Sequence, residues 1–200
     1  MSKIDTNYYN PIDQKLIDIS DKLSPTFKNL NFTPNGITTL SLIFGVLSIY
    51  VLYKPSNNTY IPYLFTILYL ISYFFDVMDG HYARKYNMTS NIGDIYDHVK
   101  DLLVNIVLVY VLIIKYNLLN HKYIILILII FGILQYIRLG CIDKTYDKKS
   151  GISFYIGRKI CYIDDKDKLM KIIHNTKLFD TVSFILLLCI TVLYLFYKKK

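Results

Sequence analysis

The strongest constraint on this chain is a set of long apolar runs, nearly free of charge, between connectors that hold most of the Asp, Lys and Arg. The runs cover about residues 37–53, 60–78, 91–116, 123–137 and 178–197, the third being polar in its first turns and apolar beyond. Several lie near the short end of the ~17–25 residues that cross hydrocarbon as a helix. Backbone in lipid must satisfy its own hydrogen bonds, so each run is predicted helical. Apolar residues make up 54% of the chain and mean hydropathy is +0.34, which excludes an ordinary soluble domain. The expected fold class is an all-α polytopic membrane protein, a bundle of five to six transmembrane helices with an N-terminal amphipathic interfacial helix.

Residues 1–30 read as an arm ahead of a transmembrane domain at 31–200. In "NPIDQKLIDISDKLSP", Asn10 suits a helix cap and Pro11 the first helical position. Ile12, Leu16, Ile19 and Leu23 then share one face, with Asp13, Asp18, Asp21 and Lys22 elsewhere. Such a helix suits the bilayer surface, or a cap packed on the loops, and Pro25 is expected to end it. The polar opening shows no cleavable signal peptide, so the first apolar run is expected to direct insertion.

A net charge of +8 invites a nucleic-acid reading. The Lys and Arg cluster beside apolar runs, however, where they set topology and attract anionic headgroups, so no nucleic-acid partner is expected. The polar connector 139–177 carries nine Lys or Arg, and Arg84 and Lys85 follow the second run. These place the aspartates described next and the long connector on one face, predicted cytosolic, in an endomembrane such as the endoplasmic reticulum. Asn57-Asn58-Thr59 is a glycosylation sequon on the other face. The terminal "YKKK" fits this orientation with six spans and not with five. Within the connector, "GISFYIGRKICYI" reads as a re-entrant or interfacial segment, or the remains of a sixth span. Cys141, Cys161 and Cys189 lack metal-ligand spacing and are odd in number, so they are read as bystanders.

The segment "DVMDGHYARKYNMTSNIGDIYDHVKD", residues 76–101, sets four carboxylates at the edge of the apolar runs. Ionised groups there are costly and mark function by default. Asp76 and Asp79 are three apart on one predicted helix, and Gly93, Asp97 and Asp101 are four apart on the next, so each set shares a face. If the helices pack together, four carboxylates converge and need a shared cation. All-oxygen ligation favours Mg²⁺, Mn²⁺ or Ca²⁺ over zinc, and a two-metal site suits phosphate-ester chemistry. Gly80, Ala83 and Gly93 leave room for a bulky ligand, and Arg84 adds a cation for phosphate.

Read in full, the segment is D-x-x-D-G-x-x-A-R, eight residues, then G-x-x-x-D-x-x-x-D. This resembles the signature of the class-I CDP-alcohol phosphatidyltransferase family, with every fixed position occupied. Upstream, "TPNGIT" supplies Pro34, Asn35 and Thr38, which match the start of that family's first span. The resemblance covers about residues 10–140. It implies that Asp76, Asp79, Asp97 and Asp101 bind two Mg²⁺ or Mn²⁺ ions, with Asp101 also the general base. It implies that Gly80, Ala83, Arg84 and Gly93 shape the CDP site and that Asn35 and Thr38 contact the diphosphate. The implied reaction moves a substituted phosphate from a CDP-linked donor, CDP-diacylglycerol first, to an alcohol acceptor with release of CMP. The implied architecture is a six-helix bundle in membrane lipid, usually a homodimer.

Other readings remain at this stage. His98 after Asp97 looks like the choline/ethanolamine phosphotransferase branch, which acts on diacylglycerol, whereas His81 in "DGHYAR" echoes phosphatidylinositol synthases. Arg138, Arg158 and Lys159 suit a phosphorylated acceptor or headgroup, or equally interfacial snorkelling. A divalent-cation transporter would use the same carboxylates but leaves Gly80, Ala83, Arg84 and Gly93 without purpose.

Overall fold

The computed structural model describes residues 9–55, 58–145, 161 and 163–199. All regular structure among them is helical: α1 (Pro11–Asn29), α2 (Pro34–Tyr53), α3 (Ile61–Lys85), α4 (Asn91–Tyr116), α5 (Lys122–Thr145), α6 (Lys166–Asn175) and α7 (Thr181–Lys199), with a short 3-10 turn at Leu118–Asn120. Four helices are long and apolar enough to cross a membrane: Pro34–Tyr53, Ile61–Lys85, Lys122–Ile142 and Thr181–Lys199. The polytopic helical class expected from the sequence is therefore observed.

The starts of the helices follow local chemistry. Asn10 Oδ1 accepts from the Ile12 amide at 3.0 Å, Thr33 Oγ1 from Gly36 at 3.1 Å and Ser90 Oγ from Gly93 at 3.0 Å, each satisfying a donor that the first turn leaves free. Pro11 and Pro34 occupy first helical positions.

Pro25 does not end α1, which continues to Asn29. Proline at that position removes the amide that would bond the Asp21 carbonyl. Lys85 Nζ, from α3, donates to that carbonyl at 3.0 Å and to Asp21 Oδ1 at 2.8 Å. These bonds, with the His81 ring 3.1 Å away, hold the Asp21 carboxyl below its ordinary value. Packing of α1 along α3 uses small side chains: Ser20 and Ser24 are wholly buried and return their hydroxyls to the carbonyls of Leu16 and Ser20. Ile12, Ile19 and Leu23 stay exposed. The serine face of α1 meets protein, while Asp18 and Lys22 and most of the apolar stripe are left outside.

The second run was expected to end near Met78, yet α3 continues to Lys85, so the whole D-x-x-D-G-x-x-A-R stretch is helical. α2, α3 and α4 meet along a seam of small residues. Ser41 Oγ donates to the Ser72 carbonyl at 2.9 Å and Ser72 Oγ to the Ser41 carbonyl at 2.7 Å. A side chain on Gly45 would meet Ser72 Oγ at 3.1 Å and a Val104 methyl at 3.2 Å, so glycine suits this close approach. α7 packs into the same core through Val182, Leu188, Val192 and Leu195 against Phe65, Tyr69, Leu108 and Leu112.

At the far end, Lys115 Nζ donates to the carbonyls of Leu52, Tyr53 and Lys54, each at 2.8 Å, and so caps α2. That places the end of α4 beside the end of α2, ~21 Å along the helix from Asp101 at ~1.5 Å per residue. α4 therefore runs the length of the bundle as a fifth long helix. Lys199 Nζ donates to the Lys115 carbonyl at 2.6 Å, and Tyr197 OH lies 3.1 Å from Tyr63 OH. Lys199 consequently lies at the end opposite the aspartates, as alternation of five long helices dictates. Part of the connector, residues 146–160, and Asn57 of the sequon lie outside the described residues.

Two cysteines are not bystanders. Cys141 and Cys161 form a disulfide with Cα atoms 5.3 Å apart, leaving Cys189 buried and free. The return of the chain from α5 toward α6 brings them together, which spacing alone does not show. Beside them, Lys144 Nζ bonds Asp164 at 2.7 Å and the Cys161 carbonyl at 2.9 Å.

A buried polar cluster ties α1 to the rest. Asn10 Nδ2 donates to Asp180 Oδ1 at 3.3 Å and Ser183 Oγ at 3.1 Å, and Tyr73 OH donates to Asp13 Oδ1 at 2.8 Å. Burial pushes the Asp13 carboxyl from 3.8 up to about 7, against the pull of the Tyr73 hydroxyl; Asp180 adds to the rise and Arg138 opposes it. The folded state then holds a proton between those values that the unfolded chain has lost, so stability falls as pH rises through that window and levels above about 7. Thermal melts in detergent at pH 5 and pH 8 should show a lower midpoint at pH 8, by at least ~2–4 °C, the shift of one kcal/mol in a chain of this size. Asp13→Asn should shrink that difference; an unchanged slope would remove Asp13 as its source.

Candidate active site

The site lies where the C-terminal half of α3 meets the first turns of α4, beside the start of α2. Asp76, Asp97 and Asp101 each offer a carboxylate oxygen there, all within 4.8 Å of one another. Asp101 is held from below, because its carbonyl accepts from Asn105 Nδ2 at 2.8 Å and Asn105 Oδ1 accepts from Tyr69 OH at 3.0 Å. Three hard oxygen donors so close together fit Mg²⁺ or Mn²⁺ rather than a soft metal. Asp97 Oδ1 is buried without an aligned hydrogen bond among the described residues, a lone pair left for such a ligand.

Asp79 stands apart from the triad. It is 5% exposed, its Oδ2 has no hydrogen-bond partner among the described residues, and the Thr38 hydroxyl lies against its carboxylate. Thr38 also donates to the Pro34 carbonyl at 3.1 Å, one turn back. Asn35 reaches the start of α4: a side chain on Gly93 would come within 3.0 Å of Asn35 Oδ1 and of Ser90 Oγ. On α3, the Arg84 guanidinium folds back over Gly80, whose missing Cβ would lie 3.2 Å from one terminal nitrogen. Arg84 Nε is buried with no hydrogen-bond partner among the described residues, and Asp79 and Asp94 are its acidic neighbours. Ala83 is half-buried on the same turn. The site residues named from the sequence thus fall at one end of α2, α3 and α4, three acids together and Asp79 with Arg84 and Thr38 beside them.

A family model for CDP-alcohol phosphatidyltransferases matches residues 31–197. The chain belongs to the CDP-alcohol phosphatidyltransferase family. The match runs well past residue 140, where recognisable motifs in the sequence stop. Among curated proteins, the CDP-diacylglycerol–inositol 3-phosphatidyltransferase of Saccharomyces cerevisiae is 39% identical over 70 residues. That stretch is 35% of this chain and 29% of the yeast protein, so less than a third of the relative is spanned. No solved structure matches.

Two residues of this family member escape motif reading. Lys100 lies among the carboxylates, its ammonium in contact with Asp76 Oδ1, 2.8 Å from Asp101 Oδ1 and 3.1 Å from Asp97 Oδ1. Ser41 accepts a fourth contact from it at 3.2 Å. In the sequence Lys100 reads as one more basic residue near a membrane boundary; only its helical neighbours at Asp97 and Asp101 signal otherwise.

Two residues singled out earlier are placed differently. His81 is buried and faces Asp21 of α1 at 3.1 Å, a structural contact. Arg138 is 5% exposed, with Nε donating to the Thr176 carbonyl at 2.9 Å and Asp13 and Asp180 as charged neighbours, so it does not snorkel. Arg158 and Lys159 lie outside the described residues.

Proposed function

We propose that this chain transfers a phosphatidyl group from CDP-diacylglycerol to an alcohol hydroxyl and releases CMP. The observation that carries this reading is the convergence of Asp76, Asp97 and Asp101 within 4.8 Å at the mouth of two packed helices. The acceptor oxygen forms a bond to the phosphatidyl phosphorus as the bond to the CMP oxygen breaks. Asp101 takes the hydroxyl proton, because an alcohol is a poor nucleophile at neutral pH. Asp76, Asp79, Asp97 and Asp101 would hold two Mg²⁺ or Mn²⁺ ions, whose chemistry would be to neutralise the diphosphate and stabilise the departing CMP. Arg84, with Asn35 and Thr38, receives the diphosphate oxygens. Gly80, Ala83 and Gly93 keep side chains out of the space the nucleotide needs.

The mouth of the site lies at one end of the bundle, where a water-soluble nucleotide and a lipid tail can meet, and this face is read as cytosolic. The protein is read as working in a bilayer as a homodimer. The name of the yeast relative makes inositol the first acceptor to test. Purified protein with Mn²⁺ and CDP-diacylglycerol should release CMP when inositol is added. The assay is repeated with glycerol 3-phosphate and serine, and with CDP-choline plus diacylglycerol. CMP release only in the last arm would replace the donor assignment, and metal flux through proteoliposomes without CMP release would replace the reaction.

A further inference from the structure

Lys100 is buried to 3% exposure at the junction of α2, α3 and α4, next to the seam that Ser41 and Ser72 keep small. The three carboxylates around its ammonium are the same three whose oxygens offer a divalent cation its ligands. An ammonium has three N–H donors. Four oxygens crowd this one, and Asp97 Oδ1 is left without an aligned bond. Position 100 also falls between the fixed positions of the signature, so the motif itself asks for no cation there.

A divalent ion and an ammonium cannot share these oxygens. At ~3 Å their repulsion in a half-buried site far exceeds the thermal energy. The lysine stem is flexible, four carbons long, and can carry its charge elsewhere without moving α4. Without either cation, three carboxylates would face one another at the membrane edge, which is costly.

We propose that the Lys100 ammonium is a tethered counter-ion that competes with the divalent cation for Asp76, Asp97 and Asp101, so that metal loading displaces it. The proposal rests on the reading of these residues as metal ligands. Its consequence is a metal-free site whose charge is already offset in part, which lets the chain fold without metal. Metal affinity is lowered in return, because only the fraction of sites with the ammonium withdrawn can bind.

The test is Mn²⁺ binding by the full chain in detergent, followed by the loss of the free Mn²⁺ paramagnetic signal. The wild type is compared with Lys100→Met and Lys100→Gln, both purified with Mn²⁺ present and then stripped with EDTA. Both variants should bind Mn²⁺ at least ~10-fold more tightly than the wild type, with unchanged stoichiometry. In EDTA they should melt below the wild type and recover when Mn²⁺ returns. If Lys100→Met fails to fold, Lys100→Gln, which keeps a hydrogen-bonding head, carries the comparison.

Equal or weaker Mn²⁺ binding by a folded variant would overturn the competition. So would one additional Mn²⁺ per chain in the variants, since Lys100 would then be a permanent substitute for a metal. Absence of Mn²⁺ binding in all three chains would sink the metal-site reading itself, a result distinguishable from equal binding.

Discussion

Asp101→Asn should release CMP at least ~10³-fold more slowly than the wild type while still binding nucleotide, within the ~10²–10⁴-fold range of a general base. The carboxamide keeps the size of the side chain and leaves the backbone bond to Asn105 intact, so α4 stays in register with α3. What it loses is the capacity to accept the acceptor's proton. The two measurements are initial-rate CMP release and equilibrium binding of labelled CMP, on the same preparation. Full turnover in this variant would remove the base assignment, and lost CMP binding would recast Asp101 as a ligand only.

Asp76→Asn should fail in a different way. Asp76 belongs to the carboxylate triad and receives the Lys100 ammonium, but it is not the residue proposed to take the proton. Removing its charge withdraws one anionic ligand from a divalent cation. Mn²⁺ binding should weaken by at least ~100-fold, which is ~2.7 kcal/mol and below the ~4 kcal/mol of even two unit charges at ~4 Å near a protein surface. Excess Mn²⁺ should restore part of the activity, which it should not do for Asp101→Asn. Wild-type Mn²⁺ affinity in Asp76→Asn would show that the triad does not hold the metal.

Much of the bundle was legible because charge-free runs of spanning length have few alternatives in lipid. The helix start at Asn10 was legible for a similar reason, since a cap is a matter of a few neighbouring residues. Misreadings arose where a partner lies far along the chain. Pro25 looks like a terminator until Lys85, sixty residues on, takes the carbonyl it strands. α3 seems to stop at Met78 because charged residues resemble an exit from the membrane, whereas those charges line a site and the helix goes on. Basic residues carry little position of their own: no motif singles out Lys100, which sits inside the carboxylates, and "YKKK" left five and six spans in conflict, whereas Lys199 meets Lys115 at the other end. The acids themselves could be assigned to helical faces from spacing, but spacing does not separate Asp79 from the other three.

The covalent link at the foot of α5 carries information about geography. Cys141 and Cys161 sit toward the carboxylate end, since α5 starts beside the 3-10 turn at the opposite end and runs back. Glutathione and thioredoxin keep such thiols apart in cytosol, whereas a secretory lumen lets them stay joined. The bond therefore stands against the cytosolic reading of the carboxylate end, and the oxidation state of this pair in living cells tests that reading.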